Sequence, residues 1–130
     1  MVVVVDDSAA AISQYEASVR SLHVDLRSFR SADEAYAHLR DSHPDLVFLD
    51  IVMPEKDGLT LLKELRALPA HRETPVIVVT SKDYAQDRNV ARDLGAREFL
   101  LKPLRSREIR ALIEQYTGAE IRALPDEGSR

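Results

Sequence analysis

Val76-Ile77-Val78-Val79 is an unbroken run of β-branched residues, and the polar pair Thr80-Ser81 follows it directly. An apolar run of this length is typical of a strand with both faces buried. Comparable short runs occur at residues 2–5, 24–29, 46–49 and 98–101. We therefore expect five strands, with the Val76 run at a central position of their sheet.

Between and after these runs, apolar residues recur with the spacing of amphipathic helices. The five sets are Ile12, Tyr15, Val19 and Leu22; Ala35 and Leu39; Leu61, Leu62, Leu65 and Leu68; Val90, Ala91 and Leu94; and Ile109, Leu112, Ile113 and Tyr116. Strict alternation of strands and helices predicts an α/β fold, in which five helices cover both faces of a five-stranded parallel sheet.

Signals for helix ends agree with this alternation. Three serines stand at predicted N-cap positions, namely Ser8, Ser31 and Ser106. Glu34 is expected to complete a capping box with Ser31. Pro69 is expected to end the third helix, and Gly95 is a natural residue to follow the fourth.

Composition limits the classes of function. The chain has 130 residues, which suits one compact domain. Its formal net charge of −4 provides no general basic field for a nucleic-acid backbone, so direct nucleic-acid binding is not expected. The absence of cysteine excludes disulfides and thiolate metal sites. The apolar run at residues 2–5 is too short for a signal peptide or a membrane span, so we expect a cytoplasmic protein without membrane contact.

Polar residues of interest follow four of the five predicted strands. The first is followed by Asp6-Asp7, the third by Asp50, the fourth by Thr80-Ser81 and the fifth by Lys102-Pro103. Ligands of parallel α/β sheets bind beyond the carboxyl ends of the strands, where these residues would lie. If the first and third strands are neighbours, three carboxylates converge there.

Converging carboxylates predict a site for a divalent cation. They repel one another unless a hard cation neutralises them, and Mg²⁺ prefers a few carboxylate oxygens together with water. At the mouth of a central strand, Asp50 is suited to attack a phosphoryl group and form an acyl phosphate. Lys102 and Thr80 then offer an ammonium and a hydroxyl to the phosphoryl oxygens.

Taken singly, each of these residues has an ordinary structural role, but the combination resembles the signature of response-regulator receiver domains of two-component signalling. The motifs are Asp6-Asp7, Asp50-Ile51-Val52-Met53-Pro54 with Asp57-Gly58, Thr80-Ser81 and Lys102-Pro103. The resemblance extends over residues 2 to about 117 and implies a flavodoxin-like, doubly wound sheet with strand order 2-1-3-4-5. We expect a receiver domain over residues 1–117, followed by a tail or the start of a linker at 118–130.

The resemblance also implies roles for the acidic residues. Asp50 is the expected phosphoacceptor. Mg²⁺ would be held by Asp7, Asp50 and the carbonyl group of Val52, with Asp6 acting close by and partly through water.

Further roles are implied for the residues after the last two strands. Thr80, Ser81 and Lys102 are expected to contact the phosphoryl group. Thr80 and Phe99 would form the conformational switch. Pro103 is expected to follow a cis peptide bond, which X-Pro bonds accept at small cost.

Two kinds of partner are implied. A histidine kinase or a phosphotransfer protein would donate the phosphoryl group, and an output protein or domain would bind the face of the fourth helix, fifth strand and fifth helix. This region is rich in arginine, namely Arg88, Arg92, Arg97, Arg105, Arg107 and Arg110. A solvated basic face is the ordinary explanation, and partner contact is our hypothesis. The chain would be a phosphoacceptor that assists its own phosphorylation and dephosphorylation, and not a turnover enzyme.

The four histidines, at positions 23, 38, 43 and 71, share no spacing. We interpret them as surface residues and not as metal ligands.

Three alternative functions remain open. A receiver-like module could bind its partner without phosphorylation. A phosphatase of the haloacid-dehalogenase type would need an acid–base carboxylate two residues after Asp50, where this chain has Val52. A flavodoxin would need a phosphate-binding loop after the first strand, where Asp6-Asp7 would repel a phosphate.

Overall fold

The computed structural model describes residues 1–119. Five strands lie in this range: β1 (Val2–Val5), β2 (Leu26–Phe29), β3 (Leu46–Asp50), β4 (Val76–Thr80) and β5 (Glu98–Leu101). They form one parallel sheet in the order β2-β1-β3-β4-β5. The predicted α/β fold and its strand order are confirmed. The expected boundary at residue 117 stays a prediction, and most of the expected tail lies outside the described residues.

Five helices alternate with the strands as expected: α1 (Ala9–Ser18), α2 (Ala32–Leu39), α3 (Gly58–Ala67), α4 (Ala85–Asp93) and α5 (Ser106–Thr117). Pro69 opens a 3₁₀ turn (Pro69–His71) directly after α3. Leu68 has an extended backbone, as a residue before proline prefers, so α3 ends there. None of the helices within residues 1–119 is long and apolar enough to cross a membrane.

Two of the predicted N-caps are present. The Ser8 hydroxyl accepts a hydrogen bond from the Ala11 amide at 3.2 Å, and the Ser31 hydroxyl accepts one from the Glu34 amide at 3.2 Å. The predicted capping box of Ser31 is only half made, because no reciprocal bond to the Glu34 carboxylate occurs within residues 1–119. Gly95 follows α4 with a φ of +77°, a conformation that glycine adopts without steric cost.

The predicted N-cap at Ser106 is wrong. α5 begins at Ser106 itself, and the preceding Arg105 amide donates to the Glu108 carboxylate at 2.8 Å. The Ser106 hydroxyl is instead hydrogen-bonded to the buried Ser18 hydroxyl at 2.9 Å, which joins α5 to α1. A partner 88 residues away leaves no local signal in the sequence.

Two apolar clusters enclose the sheet. Every residue of β1, β3 and β4 is buried, and alternate residues of β1 face opposite clusters. One cluster joins the sheet to α2 and α3 through Leu39, Leu61, Leu62 and Leu65. The other joins it to α1 and α5 through Ile12, Tyr15, Ile109 and Ile113. Each such side chain contributes about 1.5–3 kcal/mol by burial, which fixes the strands that carry the polar residues at their ends.

His71 contradicts the surface interpretation of the histidines. It is the last residue of the 3₁₀ turn, and its side chain is fully buried. One ring nitrogen contacts the Leu39 carbonyl oxygen, and the other lies 2.8 Å from the Thr74 hydroxyl. Two polar partners compensate for the burial of the ring, and neither is visible from sequence spacing.

Candidate functional site

The three predicted acidic residues converge at the carboxyl ends of β1 and β3. These strands are neighbours, with Val5 paired to Leu49, so the residues that follow them emerge side by side. One carboxylate oxygen from each of Asp6, Asp7 and Asp50 lies within 4.8 Å of the others. Asp6 and Asp50 are buried, and Asp7 is half-buried.

Lys102 reaches the same cluster from β5. Its Nζ atom lies 2.8 Å from Oδ2 of Asp6 and 3.3 Å from Oδ2 of Asp50. The Lys102 amide donates to the Thr80 carbonyl at 2.8 Å, which continues the β4–β5 ladder past the end of the strand. The peptide bond between Lys102 and Pro103 is cis. The Lys102 side chain thus reaches past the end of β4, and its ammonium contacts the carboxylates at the carboxyl ends of β1 and β3.

The environment of Asp50 disfavours its charge. Burial, and next the carboxylate of Asp6, raise the pKa of Asp50 from 3.8 to about 6, against the opposing effects of Lys102 and of the Val52 amide. That amide donates to Oδ1 of Asp50 at 3.2 Å. Asp50 is consequently a carboxylate at neutral pH, but one for which additional positive charge is favourable.

The environment of Lys102, in contrast, favours its charge. Burial lowers the pKa of Lys102, but the hydrogen bond to Asp6 and the charges of Asp50 and Asp6 outweigh it, so the net shift is upward. Its ammonium group is therefore charged at neutral pH.

The remaining predicted contacts occupy the end of β4 and the loop after β3. Thr80 is buried, and its hydroxyl accepts a hydrogen bond from the Lys82 amide at 3.2 Å. Ser81 is exposed beside it. Val52 is 49% exposed in the loop after Asp50. Hydroxyl, ammonium and carboxylate groups thus lie together at the carboxyl ends of the strands. This arrangement is suited to an anion accompanied by a hard cation.

Comparison with known proteins agrees with this geometry. The family described as the response regulator receiver domain matches residues 2–114. The chain belongs to this family.

Two curated relatives differ in how much of their length this chain covers. The chain is 34% identical over 112 residues to the cyclic di-GMP phosphodiesterase response regulator RpfG of Xanthomonas campestris pv. campestris, covering 85% of this chain and 30% of that protein. It is 30% identical over 115 residues to protein PilG of Pseudomonas aeruginosa, covering 88% of this chain and 85% of that protein. The chain therefore spans less than a third of one relative and most of the other.

A solved structure shows the same fold. It is the receiver domain of the sensor histidine kinase PA1611 of Pseudomonas aeruginosa, with a magnesium ion coordinated in its active-site cleft. The TM-score is 0.79 at 24% identity, covering 90% of this chain and 96% of that one. The comparison therefore shows that the two chains share the fold.

Gly58 explains the Asp57-Gly58 motif of this receiver domain. The Gly58 amide donates to the Ile51 carbonyl at 2.9 Å, which closes the loop after β3. A Cβ atom at Gly58 would lie 2.1 Å from the carbonyl oxygen of Asp50, so no larger residue fits. Asp57 caps α3 by accepting a hydrogen bond from the Thr60 amide at 2.8 Å.

Phe99 lies away from the acidic cluster of the receiver domain. It pairs with Val78 on β4 and packs, half-buried, against the cluster that contains α2 and α3. The Arg88 guanidinium stands 4.6 Å from the Phe99 ring centroid, a cation–π contact. Thr80 lies two residues beyond Val78 and therefore faces the same side of the sheet as Phe99.

Two residues near the site of the receiver domain were missed by the sequence analysis. Arg30 donates from Nε and Nη2 to the Asp7 carbonyl oxygen, at 3.2 and 2.9 Å. Lys56, in the loop after Asp50, contacts Glu64 at 2.6 Å and Asp33 at 3.0 Å. Their partners belong to other elements, so no local motif could have indicated them.

Proposed function

We propose that this receiver domain accepts a phosphoryl group on Asp50 from a histidine kinase or a phosphotransfer protein. The supporting observation is the position of the Asp50 carboxylate, which is buried at the mouth of a central strand beside the Lys102 ammonium and two further carboxylates. An Asp50 oxygen attacks the phosphorus of a donor phosphohistidine, the P–N bond breaks, and the donor imidazole departs as the acyl phosphate forms.

The residues present fit Mg²⁺ as a cofactor. Carboxylate oxygens of Asp6, Asp7 and Asp50 lie within 4.8 Å of one another, and hard oxygen ligands are the set that this ion prefers. We propose that they hold the ion together with the Val52 carbonyl group. When bound, the ion supplies positive charge that neutralises the entering phosphoryl oxygens.

The remaining proposed contacts come from residues at the ends of β4 and β5 or directly after them. We propose that the Lys102 ammonium and the Thr80 and Ser81 hydroxyl groups donate to the phosphoryl oxygens. The Lys102 ammonium lies 3.3 Å from Oδ2 of Asp50, so it is close enough to stabilise negative charge on a phosphoryl group there. Positioning and charge stabilisation of this kind require no acid–base residue.

The test of this function is covalent labelling. With Mg²⁺ and acetyl phosphate, we expect the wild-type chain to gain one phosphoryl group and Asp50→Asn to gain none, as measured by intact mass. Chelation of Mg²⁺ should abolish labelling. Asp41→Asn, which alters an exposed residue after α2, should label as wild type does. Full labelling of Asp50→Asn would place the nucleophile elsewhere.

We also propose that the domain acts stoichiometrically and not as a turnover enzyme. The acyl phosphate is the signal, and its hydrolysis by water ends that signal. Membership of the receiver family removes the phosphatase and flavodoxin alternatives. The alternative of a phosphorylation-independent interaction module predicts no labelling of the wild type, so the same experiment decides between the two.

The output face is proposed to consist of α4, β5 and α5. Three large apolar residues are exposed on or beside these elements, namely Tyr84, Val90 and Leu101. Phosphorylation would draw Thr80 toward the phosphoryl group and alter the packing of Phe99. Beryllofluoride with Mg²⁺ should therefore shift amide signals from Asp50 through Thr80 to Phe99. Shifts confined to the acidic cluster would show binding without switching.

A further inference from the structure

A cavity of about 290 Å³ lies at the amino ends of the strands, on the side of the sheet opposite to the end that carries Asp50. Glu73 and Arg97, which line it, precede β4 and β5, whereas Asp50 ends β3. Its wall is completed by the end of α3 and by the connection between α4 and β5. Arg66, Arg72 and Arg97 bring three guanidinium groups to this cavity from three separate segments.

The three arginines of this cavity make no close ion pair in the described part of the chain. Within residues 1–119, none of the three guanidinium groups lies within 4.0 Å of a carboxylate oxygen. Glu73 and Asp93 also line the cavity, but Asp93 lies 3.7 Å from the neighbouring Arg92. Three arginines and two carboxylates therefore line the cavity, a local excess of positive charge in a chain whose formal net charge is −4.

Arg66 forms the fixed floor of the cavity. It is half-buried, and its guanidinium donates to four main-chain carbonyls, those of Leu94, His71, Thr74 and Gly95, at 2.7, 2.7, 2.9 and 3.2 Å. Burial lowers the pKa of Arg66, the nearby charge of Arg97 lowers it further, and the Glu73 carboxylate partly opposes both effects. Two like charges therefore stand close together beside one carboxylate, and a bound anion would relieve the repulsion that Glu73 leaves.

Arg72 and Arg97 have donors to offer to such an anion. Arg97 uses one N–H on the Glu73 carbonyl at 3.1 Å. Arg72 is exposed and makes no side-chain hydrogen bond within the described part of the chain. A guanidinium fork matches the geometry of a phosphate group and binds it with two parallel hydrogen bonds.

We propose that this cavity binds a small solute through its phosphate group, either inorganic phosphate or a phosphomonoester. Arg72 and Arg97 grip the phosphate above Arg66, and the Glu73 and Asp93 carboxylates at the rim accept hydrogen bonds from hydroxyl groups of an ester. A cavity of about 290 Å³ has room for a compact ligand of this class. The site is independent of Asp50 and of phosphoryl transfer.

Occupation of the cavity would join two segments of the fold. Arg72 lies just before β4, and Arg97 lies just before β5. A ligand held by both crosslinks the starts of the two strands whose opposite ends carry Thr80 and Lys102. Binding therefore stabilises the folded chain.

The experiment is an NMR titration without Mg²⁺, using inorganic phosphate, and sodium chloride at matched ionic strength. We expect saturable shifts at the Gly95 and Arg97 amides with phosphate only. Arg72→Ala and Arg97→Ala should each weaken binding about tenfold. Arg107→Ala, at an exposed residue of α5, is the matched control and should bind as wild type does. Arg66 is left unchanged because it holds four carbonyls.

A second arm identifies the ligand. Tighter binding of glycerol 3-phosphate than of inorganic phosphate assigns a phosphomonoester, and the reverse order assigns free phosphate. Asp50→Asn should bind with unchanged affinity, which separates this site from the phosphoacceptor. The proposal is overturned if the shifts follow ionic strength in both salts, or if both arginine variants bind as tightly as wild type.

Discussion

The buried charge of the Asp50 carboxylate lowers the stability of the folded state. Its pKa is raised from 3.8 to about 6, so the folded state binds this proton more tightly than the unfolded state does. The contribution of Asp50 to the free energy of unfolding therefore falls as the pH rises between about 4 and 6. Asp50→Asn should raise the free energy of unfolding by about 1–3 kcal/mol at neutral pH, and by little at about pH 3.5.

Urea denaturation in EDTA at the two pH values measures this effect. Asp41→Asn is the control, because its carboxylate is exposed and should show no comparable pH-dependent gain. Equal stabilisation by Asp50→Asn at both pH values would contradict the assignment of the cost to the buried charge.

Two glycines should differ strongly in their response to alanine. A Cβ atom at Gly58 would meet the Asp50 carbonyl oxygen at 2.1 Å, and the backbone must move to accept it. At Gly95 the nearest atoms are 3.7 Å away, so only the φ of +77° opposes alanine. We expect a loss of about 3 kcal/mol or more for Gly58→Ala and of about 1 kcal/mol for Gly95→Ala, as measured by urea denaturation.

The same pair of variants separates local distortion from general instability. Gly58→Ala should also slow the labelling of Asp50, because the displaced backbone is that of Asp50 itself. Gly95→Ala should label at the wild-type rate. Similar losses of stability in the two variants would show that the close contact at Gly58 relaxes easily.

At the scale of elements, Lys56 fixes the loop between β3 and α3. Its ammonium contacts Glu64 of α3 and Asp33 of α2, and stands 5.4 Å from the Tyr36 ring centroid. The loop carries the Val52 carbonyl proposed as a metal ligand. We expect Lys56→Met to weaken Mg²⁺ binding by up to about tenfold, as supporting residues of metal sites do. Isothermal titration calorimetry measures the affinity.

Labelling kinetics distinguish positioning by Lys56 from damage to the fold. Labelling of Lys56→Met should be slow at low Mg²⁺ and approach the wild-type rate at saturating Mg²⁺, and Lys56→Arg should restore most of the affinity. Lys63→Met, at an exposed lysine of α3, is the control. A defect that persists at saturating Mg²⁺ would argue against a role in metal affinity.

The sequence predicted some elements much better than others. The runs that became β1, β3 and β4 are buried on both faces, so their apolar composition indicated their place. Helix ends with local partners were also predictable, as Ser8 and Pro69 show. Ser106 and His71 were misjudged because their partners, Ser18 and Leu39, come from distant segments.

At the scale of the whole molecule, the two apolar clusters share one sheet and should not unfold separately. Leu65 belongs to one cluster and Ile113 to the other, and both are fully buried. Truncation of either to alanine should cost about 2–5 kcal/mol. We expect a single transition in urea for both variants, with NMR probes in the two clusters losing intensity together. Separate midpoints for the two clusters would contradict this.

The candidate site was predictable in composition but not in geometry. Acidic residues after two strands, a threonine and a lysine were visible in the sequence, and the resemblance supplied the strand order that makes them converge. Alternation of strands and helices did not determine that order. The reach of Lys102 across β4, the support from Arg30 and Lys56, and the cavity around Arg66 depend on tertiary packing and required the structure.

Lys102 is the counter-ion of the acidic cluster within the protein itself. Because its ammonium already contacts Asp6 and Asp50, a divalent cation must compete for carboxylates that are partly satisfied. The apparent metal affinity is then a difference between two cation contacts, and the lysine reduces it. Lys102→Met should consequently tighten Mg²⁺ binding in calorimetry while it slows phosphoryl acceptance. In the proposed function, the ammonium that weakens metal binding is also the group that contacts the phosphoryl oxygens.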